Sequence, residues 1–192
     1  MNQKTIQKTQ FKVGELIIGA RVPYQYFIVQ GSGESDSGYH PGAYDIALEN
    51  AGGIQDYNHI TYSSILPKDA IRIPYPPKKY DHGAVLESIT AEAGKGKLNP
   101  DRLTAGLVIT KIFKNGKYLG GLVAEYNGED TKEDCKKFLK ANMAGMVKRR
   151  FGTETTTEDE FFIESIEPKS KYACALVMLG FVSYKVPVLE NE

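Results

Sequence analysis

Apolar residues in the second half of the chain recur with the periods of regular structure, and the longest runs read as β-strands. These runs are GAVLESITAEA (83–93), LTAGLVITKIF (103–113), KYLGGLVAEY (117–126), EFFIESIEP (160–168) and YACALVMLGFVSY (172–184). The second and third are separated by Lys114-Asn115-Gly116-Lys117. Asn-Gly between apolar runs is the strongest short-range hairpin signal, because both residues accept the positive φ that a tight turn requires. One helix interrupts the strands. Cys135, Phe138, Leu139, Met143, Met146 and Val147 follow the spacing of one buried helical face. Asp130 and Glu133 offer a capping pair at its start. Lys148-Arg149-Arg150 lies at its end, where positive charge complements the helix dipole.

The first half is less regular. Residues 1–12 read as a polar leader. Two β-rich runs, 16–18 and 26–29, flank a turn expected at Arg21-Val22-Pro23. GSGESDSGYHPG (31–42) is a loop by composition, and its glycines match neither the dinucleotide fingerprint nor the P-loop. A short helix is expected over 43–50, with Pro41 near its first turn and Gly52-Gly53 ending it. Ile46, Ala47 and Asn50 are taken as its inward face, leaving Asp45 toward a cleft or solvent. A strand follows at 58–62, then a Pro-rich edge segment, IRIPYPPKK. Further loops are expected at 76–82, 94–102 and 152–159. Two helices against about eight strands, several of them apolar on both faces, predict an α+β layered sandwich.

Composition narrows the function classes. Lys+Arg and Asp+Glu number 24 each, so no net basic field recruits nucleic acid or an anionic membrane. No run approaches the length of a bilayer span. Two cysteines, Cys135 and Cys174, and three scattered histidines fit neither a disulfide framework nor a protein-held metal. The length suits a single domain over 1–192, and a cytoplasmic location is expected.

The chemistry is concentrated at Asn58-His59-Ile60-Thr61-Tyr62-Ser63-Ser64-Ile65-Leu66-Pro67. A Ser-Ser pair taken bare is an ordinary loop feature. Asn58 alone reads as a turn cap, Glu125 as an exposed strand-end carboxylate and Asp45 as a first-turn helix acid. Together, however, NHITYSSILP, the upstream AYDIALENAGG and the downstream LGGLVAEYNG make this chain resemble the pyruvoyl-dependent arginine decarboxylases. The resemblance runs from about Val13 to Tyr184.

The resemblance implies a four-layer αββα sandwich of mainly antiparallel sheets. It also implies assembly as a homotrimer or dimer of trimers, with the active site between protomers. Ser64 would be the precursor of a covalent pyruvoyl cofactor. Its Oγ attacks the Ser63 carbonyl to give an ester, β-elimination expels the Ser63 carboxylate, and hydrolysis of the resulting dehydroalanine releases ammonia. The products would be residues 1–63 and 64–192. Asn58 would donate to the oxyanion of that attack. L-Arginine would then form a Schiff base with the pyruvoyl group, lose carbon dioxide and leave as agmatine. Glu125 would be the proton donor and Asp45 the partner of the guanidinium.

Other readings are open at this point: a hydrolase with an uncleaved Ser64, a decarboxylase of another amino acid, or a non-catalytic trimeric binding module. The hydrolase lacks a recognisable His partner or Gly-x-Ser-x-Gly elbow. Polyamine synthesis and acid resistance would both be served by a reaction that consumes a proton.

Overall fold

The computed structural model describes residues 19–75 and 80–187, and the leader at 1–12 and the apolar run at 16–18 lie outside them. Along the chain come β1 (Val22–Ser35), a π-helical turn (Tyr39–Tyr44), α1 (Asp45–Asn50), β2 (Asn58–Thr61), β3 (Ile65–Leu66) and β4 (Ile71–Arg72). Then follow β5 (Val85–Ala93), β6 (Leu103–Lys114), β7 (Lys117–Gly128), α2 (Lys132–Phe151), β8 (Thr155–Ile166) and β9 (Tyr172–Lys185). They form a five-stranded sheet, β2-β5-β9-β1-β4, and a four-stranded sheet, β3-β7-β6-β8. Among the described residues only the β1–β4 and β2–β5 pairs are parallel.

Three apolar layers hold four layers of structure together, as the αββα expectation requires. Between the sheets lie Ile89, Leu103, Leu107, Ile109, Val123, Val177 and Leu179. On the outer face of the five-stranded sheet, Phe27, Leu86, Leu176 and Met178 meet Ala43, Ala47, Leu48 and Ala51. On the outer face of the other sheet, Val108, Ile112 and Leu122 meet Cys135, Leu139, Met143 and Val147 of α2. Residues Ala173 to Phe181 of β9 are buried throughout, which explains why its sequence is apolar on both faces. Each such Leu or Ile contributes about 2 kcal/mol on burial.

The structure corrects several local expectations. No turn interrupts 21–23, because Val22 and Pro23 pair with Lys185 and Tyr184 of β9. Residues 31–35 are strand rather than loop, paired with Tyr172 to Leu176. Gly31 and Gly33 are there to admit α1. A Cβ on Gly31 would lie 2.4 Å from Ala47 O, and one on Gly33 would lie 2.5 Å from Ala43 O. That groove also sets the helix's inward face as Ala43, Ala47, Leu48 and Ala51, whereas Ile46 and Asn50 are exposed. Asn50 instead donates its side-chain amide to Ser32 O (2.9 Å). The expected loop at 152–159 is mostly β8, a polar edge strand held by pairing with β6 from Lys114↔Thr155 onward. The cap of α2 is Thr131, which accepts from Asp134 N–H (3.2 Å), one residue later than the pair expected. Asp130 accepts from the Tyr126 hydroxyl instead. Phe138 is half exposed, its ring edge-on to Tyr126.

Candidate active site

The serine pair sits where the chain passes from one sheet to the other. β2 is an edge strand of the five-stranded sheet and β3 an edge strand of the four-stranded sheet. Residues 62–64 bridge them. Tyr62 N–H donates to Ser88 O of β5 (2.6 Å), and Val123 N–H of β7 donates to Ser64 O (3.0 Å). Ser63 is exposed and Ser64 half-buried. The Ser63–Ser64 peptide is thus anchored on one side to each sheet.

A donor already addresses the carbonyl of Ser63: Ile65 N–H, at 3.0 Å. Sequence reasoning passed over it because backbone N–H groups carry no residue signature. Asn58 is placed otherwise. It begins β2, its Nδ2 donates to Gly83 O (2.7 Å), and the strand separates it from Ser63 at about 3.3 Å per residue.

Glu125 is brought close to the pair. Val123, Glu125 and Asn127 share one face of β7, so Glu125 follows the residue bonded to Ser64 O by roughly 7 Å of extended chain. Ala124 and Tyr126 take the opposite face, against α2. Glu125 keeps contact with solvent, yet protein surrounds its carboxyl closely enough that burial raises its pKa above the ordinary carboxylate value. Beyond Glu125, a cavity of about 390 Å³ opens between β5 and β7, lined by Thr90, Glu92, Gly94, Asn127 and Glu129.

Asp45 is elsewhere. It is exposed at the start of α1, directly after the π-helical turn, a rare element that frequently marks functional sites. Tyr39 of that turn donates to Glu92 Oε1 (2.7 Å), which ties the turn to β5. But α1 covers β1, three strands from β2, on the face of its sheet remote from β3 and β7. With sheets about 10 Å apart, the five-stranded sheet stands between Asp45 and the Ser64 of the same protomer.

His59 is not placed as a base. Its Nε2 bonds with Ile54 O (3.0 Å), and burial lowers its pKa. Among the described residues no three His, Cys, Asp or Glu side chains gather as a metal site would need, and no helix is long and apolar enough to cross a membrane.

A family model described as pyruvoyl-dependent arginine decarboxylase matches residues 25–186. The chain is 32% identical over 186 residues to the pyruvoyl-dependent arginine decarboxylase AaxB of Chlamydia abortus, covering 87% of this chain and 94% of that relative. It is 33% identical over 190 residues to the AaxB protein of Chlamydia pneumoniae, with the same coverage. Similarity reaches the pyruvoyl-dependent arginine decarboxylase of the archaeon Methanopyrus kandleri, at 30% over 162 residues, 83% of this chain and 97% of the relative.

Proposed function

Because this chain belongs to the pyruvoyl-dependent arginine decarboxylase family, we propose that it cleaves itself between Ser63 and Ser64 and converts L-arginine to agmatine and carbon dioxide. As a member it has a covalently bound pyruvoyl group, and the residues around Ser64 fit one. The carbonyl of residue 64, which such a group retains, is held by Val123 N–H (3.0 Å). The observation that carries the reading is the bond from Val123 N–H to Ser64 O (3.0 Å), which sets Ser64 beside the face of β7 that carries Glu125.

In self-cleavage Ser64 Oγ attacks the Ser63 carbonyl, and Ile65 N–H is in place for the oxyanion. Asn58 serves the same bond at a distance, by tying the start of β2 to Gly83 beside β5. In turnover the pyruvoyl group supplies the electron sink that lets carbon dioxide leave the substrate Cα. Glu125, holding its proton to higher pH than a free carboxyl, delivers it to that carbon. Asp45 takes the guanidinium in two parallel charge-assisted bonds.

An arginine side chain reaches on the order of 7 Å, from about six bonds near 1.5 Å. That is less than the spacing of about 10 Å between packed sheets, and the five-stranded sheet stands between Ser64 and the Asp45 of the same protomer. In this reading Asp45 comes from a neighbouring copy, and the site lies between protomers of a trimer or pair of trimers. Ile60, Ile65 and Val85, exposed on β2, β3 and the start of β5, supply apolar surface for that contact.

The test is intact mass under denaturing conditions, followed by carbon dioxide release from arginine and from other amino acids. Fragments 1–63 and 64–192, the second blocked by a pyruvoyl group, are expected, with arginine preferred. Ser64→Ala is expected to stay whole and inactive. An active, uncut Ser64→Ala protein would overturn the mechanism, and a wild-type chain that never cleaves would favour a binding module.

A further inference from the structure

Beside the serine pair lies a polar cluster that neither reaction uses. Glu87 is on β5, opposite Ile60 of β2, and its side chain is only 6% exposed. It shares a strand face with Ile89 and Ala91, so it points between the sheets. Arg21, just before β1, forms an ion pair with Glu87 Oε1 through Nη2. The same Nη2 donates to the hydroxyl of Tyr62 (3.1 Å), and the guanidinium lies 5.0 Å from the centre of the Tyr184 ring. The buried Tyr184 hydroxyl faces the same carboxylate, and burial together with Glu87 raises its pKa.

A carboxylate this deep is costly to desolvate, and its partner Arg21 offsets that cost from the solvent side. Here the pairing ends on Tyr62, the residue directly before Ser63. Tyr62 is fixed three ways: its N–H on Ser88 O, its ring against Phe181 (5.7 Å), and its hydroxyl on Arg21. The pair's other side is fixed by Val123 and by the pairing of Ile65 with Leu122. The serines themselves have no side-chain hydrogen bond among the described residues, so the geometry of the bond to be cut is set by what grips its two ends.

We infer that Arg21 and Glu87 are positioning residues for self-cleavage: the buried carboxylate orients Arg21, Arg21 fixes Tyr62, and Tyr62 holds the Ser63 carbonyl where Ser64 Oγ attacks it. The inference rests on the self-cleavage reading above. Its sensitivity follows from the reaction, since displacement of an attacked carbonyl by about 1 Å can slow attack on the order of a hundredfold.

The experiment follows conversion of freshly purified full-length chain into two fragments by denaturing electrophoresis, with melting temperature measured alongside. Tyr62→Phe removes only the hydroxyl and keeps the ring on Phe181. It is expected to melt as wild type and cleave roughly tenfold more slowly or worse. Arg21→Met is expected to be slowed at least as much, and Arg21→Lys to recover most of the rate, which a loss of packing alone would not produce. If Arg21→Met does not fold, Tyr62→Phe decides. Wild-type rates in folded Tyr62→Phe, or an Arg21→Lys chain as slow as a folded Arg21→Met chain, would overturn the inference and leave the self-cleavage reading standing. An uncut wild type would instead remove the reading on which it rests.

Discussion

Substituting Gly33 by alanine would test the link between the α1 groove and substrate binding. An added Cβ would meet Ala43 O at 2.5 Å, Ala47 N at 2.6 Å and Ile46 Cβ at 2.8 Å, two of them backbone atoms that do not turn aside. Ordinary contact begins at 3.4 Å, so the helix must retreat by about 0.9 Å. Overpacking of this kind costs about 1–3 kcal/mol, of which the better strand propensity of alanine returns about 0.5–1 kcal/mol. At the middle of both ranges the net loss is about 1 kcal/mol, which lowers the melting temperature by about 2–4 °C in a chain of this size. Asp45 begins the displaced helix. A shift near 1 Å in a binding carboxylate should raise KM for arginine roughly tenfold or more. Self-cleavage should continue, because Ser63–Ser64 is anchored to β5 and β7 and not to α1. The assay pairs fragment appearance with carbon dioxide release across arginine concentrations. A Gly33→Ala protein with wild-type melting and KM would refute the groove argument. A folded variant that no longer cleaves would refute the separation of the two sites.

Asp45→Asn should raise KM by roughly thirtyfold, from the loss of about 2 kcal/mol in charge-assisted bonding, while cleavage proceeds; steady-state kinetics checks it. Glu125→Gln should still cleave at least in part but lose most turnover. Because burial raises its pKa, the wild-type rate limb that needs protonated Glu125 should fall as pH rises through that raised value, and the glutamine variant should lack the limb. The same shift gives a stability signature. The folded state holds this proton more tightly, so its contribution is full below the unfolded carboxylate range and is lost as pH climbs through the folded value. Melting temperatures of Glu125→Gln should therefore fall less than those of wild type across that window. Finally, fragments 1–63 and 64–192 should elute together in native size-exclusion chromatography. β1 is an interior strand, registered with β9 from Val22↔Lys185 to Ser35↔Tyr172, and separate elution would contradict that register.

What could be read from the sequence was what local chemistry dictates. Asn115 and Gly116 take φ of 52° and 74°, as a tight hairpin demands of its two central residues, and the buried stripe of α2 follows its spacing at Cys135, Leu139, Met143 and Val147. Where a partner decides the conformation, the residues alone mislead. Thr155 to Glu160 are polar because β8 is an edge strand, and polarity there looks like a loop until β6 is beside it. Gly31 and Gly33 look like loop residues and are a docking groove for backbone. Helix α1 is too short for its spacing to fix a face, so the groove chooses it. The candidate site divides along the same line. Ser63, Ser64, Asp45 and Glu125 stand in recognisable segments, but the approach of Glu125 to Ser64 depends on a ladder contact between positions about sixty residues apart. The Arg21–Glu87 pair is more remote still in sequence and belongs to no motif.

The topology is also one in which cleavage at the proposed bond would leave the fold intact. Every described strand before Ser63 belongs to the five-stranded sheet, and β3, directly after Ser64, belongs to the other. The chain changes sheets at the bond itself. The contacts that grip its two ends, Tyr62 N–H on Ser88 O and Val123 N–H on Ser64 O, survive a cut between them, since neither runs through the severed peptide. The hydrogen bond from Ile65 N–H to Ser63 O joins the residues that flank the cut, and it is the one that would stabilise the attack. Placed inside a ladder, the same reaction would free a strand end and forfeit paired backbone groups, each at about 1 kcal/mol or more. At the crossover it would free only Ser63, already exposed at the edge of the sandwich.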